Sequence, residues 1–115
     1  MNPKSKQSVQ ESRPAKPEIL AEMIDYADDS IVSKTIIDKP VGTLTLFAFD
    51  KGQKLSEHTA HYDAVVQVLD GRAQLTVGGK RIIVSAGQLI IMPADVPHAV
   101  VAKEKFKMLL TMIRA

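Results

Sequence analysis

Three histidines, His58, His61 and His98, are the residues of this sequence best suited to chemistry. An imidazole can bind a divalent metal, move a proton near neutral pH or anchor a polar ligand. Spacing decides which of them can cooperate. Residues two apart on a strand point the same way and can share one ion, whereas residues three apart point to opposite faces. His58 and His61 are three apart, so on a regular strand His61 faces outward unless a bulge or an inter-strand loop turns it in. His58 and His98 stand beside turn residues at the ends of apolar runs, where the mouth of a β-barrel is built.

Other chemistries find no residues to carry them. The absence of cysteine removes disulfides, thiolate metal sites and a cysteine nucleophile. There is no glycine-rich phosphate loop, no Gly-x-Ser-x-Gly elbow and no His-Glu-x-x-His helix. Ser30, Ser33, Ser56 and Ser85 fall at strand ends or turns with no base assigned to them by spacing. Asp28-Asp29 reads as a turn, because neighbours in sequence rarely converge on one substrate. Glu57, Tyr62, Asp63 and Gln67 are further oxygen donors near the histidines, and no spacing rule selects one of them.

The elements that must position these side chains are strands. Short β-branched and apolar runs occupy residues 31–37, 43–49, 56–60, 64–69, 72–77, 80–84, 88–92, 98–102 and 106–113. Turn chemistry separates them: Lys39-Pro40, Asp50-Lys51-Gly52, Asp70-Gly71, Gly78-Gly79, Ser85-Ala86-Gly87 and the loop from Pro93 to Pro97. Asp70-Gly71 and Gly78-Gly79 predict two-residue hairpins, and with them a meander of antiparallel pairs through the middle of the chain. Eight or nine short strands must close or sandwich to hide their edges. The expected fold is therefore all-β, a small antiparallel jelly-roll barrel. Upstream, Ile19, Leu20, Met23 and Ile24 fall at helical spacing in a segment, 18–29, that is long enough for one helical turn or an edge strand.

The last run is apolar on both faces. Phe106, Met108, Leu110 and Met112 alternate with Lys107, Leu109, Thr111 and Ile113. Two buried faces imply either a second covered layer or a subunit interface, so a homodimer is expected. The Met108 and Met112 stripe serves core packing or lines a ligand pocket.

Composition sets the remaining bounds. A chain of 115 residues holds one domain with its own core. Residues 1–17 read as a flexible leader and 18–115 as the barrel. The net charge of +2 divides into +3 on that leader, where Lys4, Lys6, Arg13 and Lys16 outnumber Glu11, and −1 on the body. With no Lys/Arg stripe interleaved with aromatics on the body, nucleic acid is not an expected partner. No apolar stretch reaches the length of a membrane span or a signal-peptide core, so no membrane partner is expected and the expected location is cytoplasmic.

Two stretches together resemble the paired motifs of the cupin family, Gly-x5-His-x-His-x3-4-Glu-x6-Gly and Gly-x5-Pro-x-Gly-x2-His-x3-Asn. The first runs from Gly52 through His58 to Gly71, and the second from Gly87 through Pro93 to His98. Gly52, His58, Gly71, Gly87, Pro93 and His98 fall in register. The resemblance implies a small jelly-roll barrel, commonly dimeric, that binds a divalent metal or a small molecule near one mouth. The family's second histidine falls on Ala60, its glutamate on Ala64 and the asparagine position on Ala102. Only His58 and His98 remain of a set of three histidines and a carboxylate.

Three functions follow as expectations. In the first, the barrel binds a small molecule against Phe47 or Phe49, Met108 and Met112, with His58 and His98 as polar anchors and Gln67 among the ligand contacts. In the second, a divalent metal (Zn, Fe, Ni or Mn) sits on His58 and His98. His61 or a nearby oxygen donor completes its shell, and the protein acts as an oxygenase, isomerase or lyase. In the third, the chain is a structural or regulatory dimer.

Overall fold

Each apolar run becomes a strand in the computed structural model, which describes residues 15–114. The strands are β1 (Ile31–Lys39), β2 (Gly42–Phe49), β3 (Lys54–His58), β4 (Asp63–Asp70), β5 (Arg72–Val77), β6 (Lys80–Ser85), β7 (Leu89–Met92), β8 (His98–Val101) and β9 (Phe106–Ile113). They form a five-stranded sheet in the order β1-β2-β9-β4-β7 and a four-stranded sheet in the order β3-β8-β5-β6. All pairings are antiparallel, and the two sheets pack as a jelly roll.

The connectivity departs from a meander. Only β1–β2 and β5–β6 are hairpins of sequence neighbours; every other connection carries the chain from one sheet to the other. Gly78-Gly79 does close a hairpin, with Val77 opposite Lys80 and both glycines at positive φ. Asp70-Gly71 does not. β4 pairs with β7 and β9, while β5 pairs with β6 and β8, so Gly71, at φ 73°, turns the chain across the sandwich. A positive-φ glycine marks a sharp change of direction in either case, and which strands then pair is decided by burial on both sides.

Two buried layers flank the five-stranded sheet. Between the sheets lie Phe49, Ala64, Val66, Val68, Leu75, Val100, Phe106 and Met108 with their neighbours. Phe49 and Phe106 stack there with ring centroids 4.6 Å apart. On the sheet's outer face Leu46, Ala48 and Leu109 are covered by Leu20, Met23, Ile24 and Tyr26. The doubly apolar β9 is thus a central strand whose second face meets the chain's own upstream segment. That segment forms only a single 3-10 turn at Leu20–Glu22. It is tied down where Lys107 Nζ donates to Ala21 O (2.6 Å) and Lys34 Nζ to Met23 O (3.1 Å). Tyr26 donates to Asp70, and burial together with that carboxylate pushes its phenol well above the usual range.

Of the leader expected at 1–17, residues 1–14 lie outside the described residues, and 15–17 are exposed. Among the described residues no helix is long and apolar enough to cross a membrane.

Candidate functional site at the mouth

One end of the sandwich gathers the C-terminal ends of β1, β3, β5, β7 and β9 and the N-terminal ends of β2, β4, β6 and β8. This end carries both histidines of interest. His58 is the last residue of β3 and His98 the first of β8, and the two are direct cross-strand partners. An irregularity in β3 between Leu55 and His58 brings them into that register. Because the bulge breaks the period of two, sequence alternation alone does not pair them.

The two rings meet edge to face, centroids 4.3 Å apart at 69°, with their Nε2 atoms 3.1 Å apart. His98 is buried at 6% exposure, the one polar or charged side chain buried among the described residues, while His58 is exposed. Each Nδ1 lies on a backbone carbonyl two residues upstream: His58 on Ser56 O at 2.9 Å and His98 on Val96 O at 3.2 Å. A carbonyl oxygen only accepts, so each Nδ1 carries the hydrogen and donates it. In the neutral rings both Nε2 atoms are then acceptors, and two lone pairs face each other. A hydrogen placed between them, from protonation of one ring, from water or from a ligand, satisfies both.

The loops bearing the pair are locked together. Asp95 N–H donates to Ala60 O (2.7 Å) and Ala94 N–H to Asp63 Oδ1 (2.8 Å). His61 Nδ1 donates to Asp95 Oδ1 (2.8 Å), and Gly78 N–H to Pro97 O (2.8 Å). Asp95 adopts a left-handed φ of 66°, a conformation that aspartate tolerates better than most residues. Asp63 and Asp95 were invisible as positioning residues in sequence. Aspartates in loops and at strand ends are ordinary turn chemistry, and their partners lie in a distant segment.

The remaining candidate residues divide. Met112 is half-buried near the same mouth, opposite Ala64 and Thr43. Met108 is at 2% exposure and fills the core between the sheets instead of lining an opening. Gln67, expected among the ligand contacts, lies on the outer face of its sheet. On β4 its neighbours Val66 and Val68 point into the core, and the period of two puts Gln67 with Val65 and Leu69 on the outer face. His61 sits in the loop between β3 and β4 with its side chain 86% exposed and turned to Asp95, so it does not join the other two imidazoles.

A resident metal is the group that such a mouth brings to mind, and the donor set can be tested against it. Spacing is no obstacle: two nitrogens 3.1 Å apart would both reach one ion at about 2.0–2.1 Å. Ligand number is the obstacle. No group of three or more His, Cys, Asp or Glu side chains able to hold an ion occurs among the described residues, and Ala60 and Ala64 stand where further donors would be needed. Two imidazoles fall short of the three protein ligands of a typical catalytic centre, so the residues present do not fit a resident metal.

An antiparallel jelly roll of this size with a histidine pair at one mouth defines a small cupin-type barrel. The chain belongs to the cupin family: the Cupin domain model matches residues 45–114. A conserved protein of unknown function from Streptococcus pyogenes is 36% identical over 88% of this chain and 89% of its own, with a TM-score of 0.84. A cupin 2 conserved barrel domain protein from Leptotrichia buccalis is 45% identical with a TM-score of 0.79. That match covers 81% of this chain and 45% of the longer relative. A cupin superfamily protein from Desulfitobacterium hafniense is 26% identical over 88% of this chain and 93% of its own, with a TM-score of 0.83. Among curated proteins nothing matches the chain.

Proposed function

We propose that this chain binds a small organic molecule at its barrel mouth, where a hydrogen-bond-donating group of the ligand seats on Nε2 of His58 and His98. The observation that carries the reading is the pair's geometry: both Nδ1 atoms are committed to carbonyls and both Nε2 acceptors converge at 3.1 Å. A hydroxyl, amide or ammonium hydrogen placed between two such acceptors satisfies both. The half-buried Met112, with the inward apolar side chains below it, supplies the contact for the ligand's carbon skeleton. Binding without a resident metal suits a mouth that keeps two imidazoles and has alanine at positions 60 and 64.

The test is the metal content of protein purified without a metal-affinity tag, for the wild type and for His58→Ala and His98→Ala. The expected result is no stoichiometric metal, even after incubation with Zn, Fe, Ni or Mn. One ion per chain, lost in both variants, would sink this reading in favour of a metal-dependent oxygenase, isomerase or lyase.

A further inference from the structure

The sandwich is open along one side, where β6 ends the four-stranded sheet and β7 ends the five-stranded sheet. The turn at Ser85-Ala86-Gly87 joins the two strands, and both edges run from it towards the mouth. Between them lies a cleft of about 480 Å³, lined by Ile82, Ile83 and Val84 of β6 and by Gln88, Leu89 and Ile90. That volume falls within the range of about 300–1,000 Å³ usual for small-molecule sites. Val84 is buried, Ile82 and Ile90 are half-buried, and Ile83 and Leu89 at the rims are 53% and 57% exposed. Aliphatic side chains held open to water in a concave cluster favour an apolar occupant.

The two ends of the cleft are unlike. At the turn, Gln88 Oε1 accepts the Ser85 N–H (2.8 Å) and Gln88 N–H donates to Ser85 O (2.9 Å), so the backbone there is satisfied within the turn. At the mouth end, both rows of the β6 lining finish in a cation. Side chains two apart on a strand share a face, so Lys80 continues the row of Ile82 and Val84, and Arg81 continues that of Ile83. Both are exposed, and neither has an ion-pair partner among the described residues. From Gly71 to Ala94 the sequence holds Arg72, Lys80 and Arg81 and no aspartate or glutamate. Arg72 is engaged by Glu104 at 2.9 Å, which leaves the two cations at the cleft without a counter-charge of their own. An apolar trough with positive charge at one end is complementary to a molecule with a hydrocarbon tail and an anionic head.

We propose that the cleft between β6 and β7 binds a long-chain carboxylate, its tail on Ile82, Ile83, Leu89 and Ile90 and its head at Lys80 and Arg81. The site is separate from the histidine pair. Because the cleft is open to solvent, an occupant leaves on dilution, and the experiment therefore supplies one. The full chain is titrated by calorimetry with sodium dodecanoate below its micellar concentration, and with dodecyltrimethylammonium, which has the same tail and a positive head. Ile83→Asp puts a carboxylate on the exposed rim, Lys80→Glu/Arg81→Glu reverses the charge at the head end, and His58→Ala alters the mouth alone. The cleft substitutions fall at exposed positions, so the fold is kept and the far-ultraviolet spectrum is unchanged. The expected result is one dodecanoate per chain with equal affinity in the wild type and His58→Ala. Binding is at least about tenfold weaker in both cleft variants, and at least about tenfold weaker for dodecyltrimethylammonium on the wild type. No saturable binding of dodecanoate overturns the proposal, as does equal affinity in the cleft variants or for the cationic amphiphile. A loss in His58→Ala also overturns it, by moving the amphiphile to the mouth. Two further results would assign the cleft to another occupant: sedimentation of the chain with phosphatidylglycerol vesicles without uptake of dodecanoate, which points to a bilayer, or a solution mass that halves in Ile83→Asp, which points to a second copy.

Discussion

His58 and His98 hang by the same device: each donates from Nδ1 to the carbonyl two residues before it, and the two Nε2 atoms are left 3.1 Å apart. The local geometry therefore selects one tautomer for both rings. Long-range nitrogen–proton correlation spectra of labelled protein, taken where the imidazoles are neutral, should show pyrrole-type Nδ1 and pyridine-type Nε2 for both residues. A pyrrole-type Nε2 on either ring would mean that the pair satisfies itself, and the proposed ligand seat would lose its basis.

Removal of the two rings should separate binding from stability. His98 is buried and His58 is exposed. His98→Ala leaves a hole and an orphaned Val96 carbonyl, at a cost of about 1–3 kcal/mol. His58→Ala costs less than about 1 kcal/mol, since water replaces the lost contact at Ser56. Urea unfolding of the two variants measures both. Equal losses would show that the environments of the two rings are not as different as their burial indicates.

Gly71 is where the chain leaves one sheet for the other, and it combines two constraints. Its φ is 73°, and a Cβ there would run into the backbone of Lys105 and Phe106. Gly52 has a comparable φ of 91° with open space around it. Gly71→Ala should therefore cost about 1–3 kcal/mol through strain plus collision, and more than Gly52→Ala, which costs about 1 kcal/mol from strain alone. Thermal unfolding of the pair distinguishes the two contributions, and the reverse order would contradict this account of the crossover.

Asp50 closes the other end of the sandwich. Its carboxylate accepts the Asp29 N–H at 2.8 Å, and it is held below the ordinary carboxylate range by hydrogen bonds from the backbone of Asp29 and Lys51. Because the folded value lies below the unfolded one, the stabilisation is fully present above the ordinary carboxylate range. It is lost as pH falls through the folded value. Asp50→Asn should thus be less stable than wild type at neutral pH, with the two denaturation midpoints converging in acid. Solvent at the partly exposed carboxylate keeps the gap small, and a gap that widened in acid would have the wrong sign.

How far the sequence could be read depended on how local each cause was. Strand positions were legible because β-branched residues and a period of two act within a few residues; the bounds of β5 and β9 agree with their runs to the residue. The Asp70-Gly71 connection was not, since a left-handed glycine serves a hairpin and a crossover equally. The two faces of β9 left a second layer and a subunit interface both open, and only the folded chain shows Leu20, Met23, Ile24 and Tyr26 packed on the second face. At the mouth, the register that joins His58 to His98 passes through an irregularity in β3, and the Asp63 and Asp95 contacts join loops more than thirty residues apart. The face of Gln67 was legible from its own strand, since Val66 and Val68 inward put it on the outer face.

The most direct test of the central claim is native mass spectrometry of the untagged chain beside His98→Ala, because one spectrum reads organic and metal adducts alike. The account predicts an organic adduct on the wild type that is absent from the variant, with no metal mass on either. A wild type that carries one metal ion per chain, or an organic adduct that persists unchanged in His98→Ala, would contradict it.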